Sequence, residues 1–313
     1  MTDFQEFTFL SSDGHTQLHG AQWTPADRKP RAVLQIAHGV AEHILRYDDF
    51  ARYLNDRGIL VAGHDHLGHG KSLPEGGTPV YFGDGNTWNT VVDDIYVLHQ
   101  RLKQRYPDVP LCIMGHSMGS FLTRTYLIRY PGTVKAAVIM GTGWQPRAAI
   151  TGGLALANAI AAVSGENATS ELVTELAFGS YNKLFAPNRT KVDWLSADES
   201  NVDDYIADPL CGADATVGLF RQMLHGIRFN QRQSHLRQMD REMPVLFVAG
   251  DKDPVGNCGK GVRQTYDAFR AAGMRDCTLK LYPGLRHEIL NEKAYTADIT
   301  KNIEAWLLSR LEK

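Results

Sequence analysis

Short apolar runs recur along the chain, and between them the apolar positions repeat with helical spacing. Six runs read as strands: AVLQIAHG (32–39), GILVAGHD (58–65), PLCIMGHS (110–117), KAAVIMGT (135–142), MPVLFVAGD (243–251) and CTLKLYPG (277–284). They are rich in Val, Ile and Leu and do not alternate with polar residues, which is the pattern of strands covered on both faces. The spacing predicts helices at about 47–57, 88–105, 118–130, 259–272 and 292–312. Strands and helices in alternation build a mostly parallel sheet flanked by helices. Two earlier segments, FQEFTFLSS and TQLHGAQWTP, predict an antiparallel hairpin at one sheet edge.

The alternation stops after Gly143 and resumes at Met243. The interval 144–239 reads as helices and loops, a helical cap inserted between two strands of a core made of 1–143 and 240–313. It carries apolar residues at helical spacing: Leu154, Leu156, Ile160 and Val163, then Leu172, Leu176 and Phe178, then Leu219, Met223, Leu224 and Ile227. Many of these must pack the cap onto the core, and some are expected to face a pocket beneath it. From Ala148 to Gly165 there is no charge, over close to the ~18 residues that mark a spanning candidate. A Gly pair, Asn158 and many weakly apolar alanines predict a lid or surface helix there instead of a span.

Composition narrows the function. At 313 residues with 43% hydrophobic content the chain can bury a large core. A net charge of -2 offers no basic face, which argues against nucleic acid as a principal partner. The four cysteines, Cys112, Cys211, Cys258 and Cys277, are far apart and form no CxxC pair, so neither a zinc site nor a disulfide framework is expected. Reduced thiols and an acidic start without an apolar h-region predict a cytoplasmic protein.

The candidate chemistry centres on LCIMGHSMGS (111–120), where Gly115-His116-Ser117-Met118-Gly119 falls between a predicted strand and a predicted helix. A serine in that G-x-S-x-G setting sits on a tight turn, and neighbours without a Cβ let the backbone bend and the helix approach. Ser117 is therefore the candidate nucleophile. A serine hydroxyl needs a base to take its proton and a carboxylate to fix that base, following in the order acid, then histidine. His287 is the only histidine after the 243–251 strand. Asp251 and Asp253 both follow that strand; Asp253 lies deeper in the loop and precedes Pro254, which favours it, while Asp251 suits loop amides. Donors for a developing oxyanion are expected from the backbone N–H of Met118 and of Val40, in the His38-Gly39-Val40 loop.

The strings HGVAEHILRY (38–47), DHLGHGKS (65–72), GHSMGS (115–120), GDKDP (250–254) and PGLRHEIL (283–290) together resemble the α/β-hydrolase family, within it the monoacylglycerol lipase and lysophospholipase branch. The resemblance covers nearly all of the core and is weak in the cap. It implies an α/β-hydrolase fold with a cap at the observed break, Ser117 as nucleophile, Asp253 as acid at the fourth position of G-x-x-D, His287 as base, and Val40 and Met118 as oxyanion donors. It implies no cofactor and no metal. His38, Gly39, Glu42 and His116 are expected to support the site, with His43 and Arg46 holding the oxyanion loop. His64, His66 and His69 are expected to build a turn, since they lack helical ligand spacing. Cys258 is expected to line the pocket or to be a buried thiol.

A serine carboxylic-ester hydrolase acting through an acyl-enzyme on monoacylglycerols or lysophospholipids follows, with the cap able to rest on membranes. A lid arginine (Arg147, Arg189, Arg221 or Arg228) recognising phosphate would support the lysophospholipid. The same scaffold serves feruloyl-type esterases, C–C hydrolases, amidases and perhydrolases. Epoxide hydrolases and dehalogenases need Asp where Ser117 stands, and non-catalytic binding members usually lack a residue of the set present here.

Overall fold

The runs without alternation become the interior strands of a single sheet. In the computed structural model, which describes residues 2–26 and 28–311 and not the side chains of Leu176 and Ala177, the strands are β1 (Thr2–Leu10), β2 (Gln17–Pro25), β3 (Ala32–Ala37), β4 (Ile59–His64), β5 (Leu111–His116), β6 (Ala137–Met140), β7 (Val245–Gly250) and β8 (Cys277–Tyr282). Their order is β1-β2-β4-β3-β5-β6-β7-β8. β3 to β8 pair in parallel, while β1 and β2 form the expected antiparallel hairpin and β2 joins β4 antiparallel.

Every residue of β3, β4, β5 and β7 is buried. Side chains along a strand point alternately to opposite faces, so Val33, Leu60, Ile113 and Phe247 enter one core and Leu34, Val61, Met114 and Val248 the other. The first face is covered by α2 (Thr87–Arg105), α3 (Met118–Arg129) and α10 (Lys260–Ala271), the second by α1 (Asp48–Asn55) and α11 (Thr296–Leu311). The helix predicted from 292 starts later, because the Glu292 carbonyl accepts the Tyr295 and Thr296 amides in a turn.

Between β6 and β7 lie α4 (Arg147–Ser164), α5 (Glu171–Thr174), α6 (Ser180–Lys183), α7 (Glu199–Ala207), α8 (Val217–Asn230) and α9 (Gln233–Leu236). α8 rests on α3, which is why α3 carries no polar stripe and is buried from Met118 to Ile128. Leu219, Met223, Leu224 and Ile227 of α8 are buried. α4 lies over α8 and buries only Ile150, Leu154 and Ala157, leaving Val163 88% exposed. Leu172 is exposed as well. Among the described residues, α4 is the one helix long and apolar enough by composition to cross a membrane.

His64 closes β4 with both ring nitrogens buried and unpartnered among the described residues. Burial, with the neighbouring His38, pushes its pKa down to about 3. A histidine held below its ordinary value binds fewer protons folded than unfolded. Its contribution is therefore complete above pH 6.5 and declines as pH falls toward 3. Replacing it by Leu should remove about 2 kcal/mol of the stability lost between pH 7 and pH 5. Urea unfolding at both pH values checks this; an equal loss in both proteins would refute the neutral histidine.

Candidate active site

β5 ends at His116 and α3 begins at Met118, so Ser117 alone turns the chain, at φ 53° and ψ -121°. A non-glycine residue there costs ~1–3 kcal/mol and persists only where its surroundings hold it. The Ser117 amide donates to the Met140 carbonyl at 3.0 Å, and its carbonyl accepts the Ser120 amide at 2.9 Å and hydroxyl at 2.6 Å. A Cβ on Gly119 would overlap the carbonyl oxygens of Ala37 and His38, and one on Gly115 would overlap the Gly119 carbonyl. Both glycines let the first turn of α3 lie directly on the ends of β3 and β5.

Asp253, in the loop after β7, is fully buried. Its Oδ1 accepts the Val255 amide at 2.9 Å and lies 2.9 Å from His287 Nδ1. With Nδ1–H donating to the carboxylate, His287 keeps Nε2 as a proton acceptor. Nε2 is buried and without a partner among the described residues. The His287 ring lies 4.7 Å from the ring of His116, which precedes Ser117, and 5.1 Å from Trp194 of the cap. Asp251 instead accepts the Gly284 amide at 2.8 Å. Asp253 and His287, from the ends of β7 and β8, thus stand beside His116, the residue before Ser117 at the end of β5.

The loop after β3 borders Ser117, since a Cβ on Gly39 would stand 3.0 Å from Ser117 Cβ. Val40 lies in its turn and Met118 opens α3, and neither amide donates to another backbone group among the described residues. His38 Nδ1–H donates to the Gly39 carbonyl at 2.7 Å and Nε2 accepts the His66 amide at 3.0 Å. His38, His66 and His69 form a buried ring cluster behind this loop, with His38 and His66 4.1 Å apart.

Glu42 ties the loop to its surroundings. It accepts the Gly39 amide, the Tyr47 hydroxyl at 3.0 Å, Arg46 at 3.0 Å and His116 Nδ1 at 3.2 Å. Burial opposes ionisation of Glu42, but the bond and charge of His116, with Arg46, hold its carboxyl well below the usual range. Burial likewise opposes a charged His116, and Glu42 outweighs it and raises the imidazole. His116 Nε2 meets the His287 carbonyl at 3.3 Å, so both ring nitrogens have acceptors. Arg46 also bonds Glu288 through two nitrogens, at 2.6 and 2.8 Å, and Glu288 accepts Asn201 of α7 at 2.8 Å.

Several cap groups reach this site that chain spacing did not indicate. The Glu288 amide donates to the Leu195 carbonyl at 2.7 Å, Arg286 donates to the Ser196 carbonyl at 2.9 Å, and the Tyr205 hydroxyl donates to the Ala41 carbonyl at 3.0 Å. No local signal links Trp194, Asn201 or Glu288 to Ser117. Among the lid arginines, Arg189 pairs with Asp203, Arg221 with Glu166 and Arg228 with His225, while Arg147 is exposed. Cys258 is exposed, at φ 51°, so it is not a buried thiol, and its amide donates to the Asp253 carbonyl at 2.8 Å.

A sheet of this order, with a strained serine after β5 and a buried His–Asp pair after β8 and β7, defines an α/β-hydrolase of the serine type. The chain belongs to the Hydrolase_4 family, described as serine aminopeptidase, S33, whose model matches residues 28–294. It is 33% identical to a monoacylglycerol lipase of Mycolicibacterium smegmatis over 92% of this chain and 92% of that protein. Identity to the monoglyceride lipase of Mus musculus is 28%, over 98% and 92%. A thermostable carboxyl esterase from Bacillus coagulans, solved in complex with glycerol, superposes with a TM-score of 0.92 at 27% identity, covering 99% of this chain and all of that one. The chain is thus a serine hydrolase that cleaves esters.

Gly119→Ala should destabilise the fold by about 3 kcal/mol or more, because the added methyl meets backbone that cannot turn aside. Urea unfolding measures this, with Ser120→Ala, which leaves α3 in place, as comparison. A loss below 1 kcal/mol for Gly119→Ala would mean that α3 does not rest on β3.

Proposed function

We propose that the enzyme hydrolyses long-chain monoacylglycerols through an acyl-enzyme on Ser117. His287 takes the Ser117 proton at Nε2 and later returns it to the departing alcohol; Asp253 holds the imidazole in the tautomer that leaves Nε2 free. The amides of Val40 and Met118 hold the negative oxygen that develops on the carbonyl, helped by the positive end of α3. Water then attacks the acyl-enzyme by the same base. The 2.9 Å bond between Asp253 and His287, beside the strained Ser117, carries this assignment.

The substrate class rests on the surroundings. A cavity of about 270 Å³ is bordered by Glu42, Arg46, Asn201 and Glu288 and by His116, which precedes Ser117. Its two buried carboxylates, Glu42 and Glu288, are both engaged by Arg46, which leaves neither free for the ammonium of a peptide. Three of the four lid arginines have partners within the cap and none contacts the triad residues, which favours an uncharged head group over a phosphate. The segment 144–239 is the cap of this site, and an acyl chain under it gains ~0.8 kcal/mol per buried methylene. The exposed apolar side of α4, with Val163, and the exposed Leu172 of α5 let a cytoplasmic, water-soluble enzyme rest on the membrane that supplies its substrate.

A panel of monoacylglycerols, lysophospholipids, short esters and aminoacyl anilides tests the substrate class. Dodecanoylglycerol should be turned over at least about tenfold faster than the butyryl ester, given several extra buried methylenes. Preference for acetyl or butyryl esters, or for anilides, would overturn it. Ser117→Ala should abolish labelling by a fluorophosphonate, and Asp253→Asn should lower kcat by about 10³–10⁴-fold with little change in KM. Labelling that survives Ser117→Ala would place the nucleophile elsewhere.

A further inference from the structure

His43 follows Glu42 in the oxyanion loop, and its Nε2 lies 2.8 Å from Oδ2 of Asp208, just past α7. Cys211, three residues on, brings a thiol to the same point. One ligand atom from each of the three residues lies within 4.8 Å of the others. His43 is buried, while Asp208 and Cys211 are half-buried, so an ion can enter from solvent. We propose that His43, Asp208 and Cys211 form a site for a thiophilic divalent cation of the zinc class, which straps the cap to the oxyanion loop.

Nitrogen, carboxylate and thiolate ligands with a fourth position left to water match a tetrahedral zinc environment, with bonds of about 2.0–2.3 Å that hold donors about 3.3–3.6 Å apart. The present cluster needs a slight opening between His43 and Asp208 and a tightening of the widest pair by about 1 Å. The seam is already zipped, since the Ala41 carbonyl accepts both the Gly212 amide and the Tyr205 hydroxyl. The ligand strands are therefore held together before the ion arrives. Binding releases one proton, that of the Cys211 thiol, which becomes thiolate; the neutral His43 imidazole keeps its proton by moving it to Nδ1, which frees Nε2 for the metal. The carboxylate needs none. Burial, with nearby Glu42 and Asp208, pushes the free thiol upward and outweighs Arg46, so affinity should rise with pH. The ligands stand 165 residues apart in the chain, so cysteine spacing did not show the set.

Cobalt(II) added to the full-length protein should give a thiolate-to-cobalt charge-transfer band at one equivalent. Zinc should compete for it and raise the melting temperature. Cys211→Ser should abolish the band, and Asp208→Asn should weaken zinc binding by at least about tenfold. Cys258→Ser should leave both unchanged. Absence of the band in the wild type, its loss in Cys258→Ser, or a zinc-dependent rise in melting temperature that survives both Cys211→Ser and Asp208→Asn would overturn the site. Circular dichroism of each variant separates loss of binding from loss of fold.

Discussion

The direct contact of α3 with the ends of β3 and β5 is the constraint that everything at the site depends on. It exists because Gly115 and Gly119 carry no Cβ where strand carbonyls press on the helix. The same contact holds Ser117 in its strained bend and sets the N-terminus of α3 directly beside it. The strain is local, but what maintains it is the packing of both sheet faces.

A second constraint is electrostatic. Glu42, Glu288 and His116 are buried and Arg46 is largely so, and each charge alone would be costly there. Together they satisfy one another with short, charge-assisted bonds, and their geometry ties three separate segments. Glu42 holds the Gly39 amide, His116 abuts Ser117, and Glu288 adjoins His287. Removing one member would leave the others as uncompensated buried charges. The network thus couples the loop after β3 to the loop after β8, and Asn201 extends that coupling to α7. Cap position and site geometry are linked through side chains, with Trp194 standing over His287 as the apolar counterpart.

Much was legible in the chain alone. The non-alternating runs from 32 to 284 became strands close to their predicted bounds, and the break after Gly143 coincides with a stretch of helices between β6 and β7. Those signals are local: a strand buried on both faces has no room for polar residues, and a helix repeats every 3.6 positions. The bend at Ser117 was readable for the same reason, because a sharp strand-to-helix turn needs small neighbours within two residues. His287 could be picked by its order along the chain, whereas order left Asp251 and Asp253 both open.

What only the tertiary structure decided concerns partners far apart in sequence. Nothing in the spacing of Arg46 and Glu288 foretells a paired contact, and nothing local to Cys258 shows that it is exposed. His43 meets Asp208 and Cys211, and Trp194 meets His287, only because the segment between β6 and β7 packs back against the loops after β3 and β8. Periodicity and turn chemistry act over a few residues and are written into neighbouring positions. Burial of charge and closure of a cap depend on which distant surfaces meet, and that is settled by packing of the whole chain.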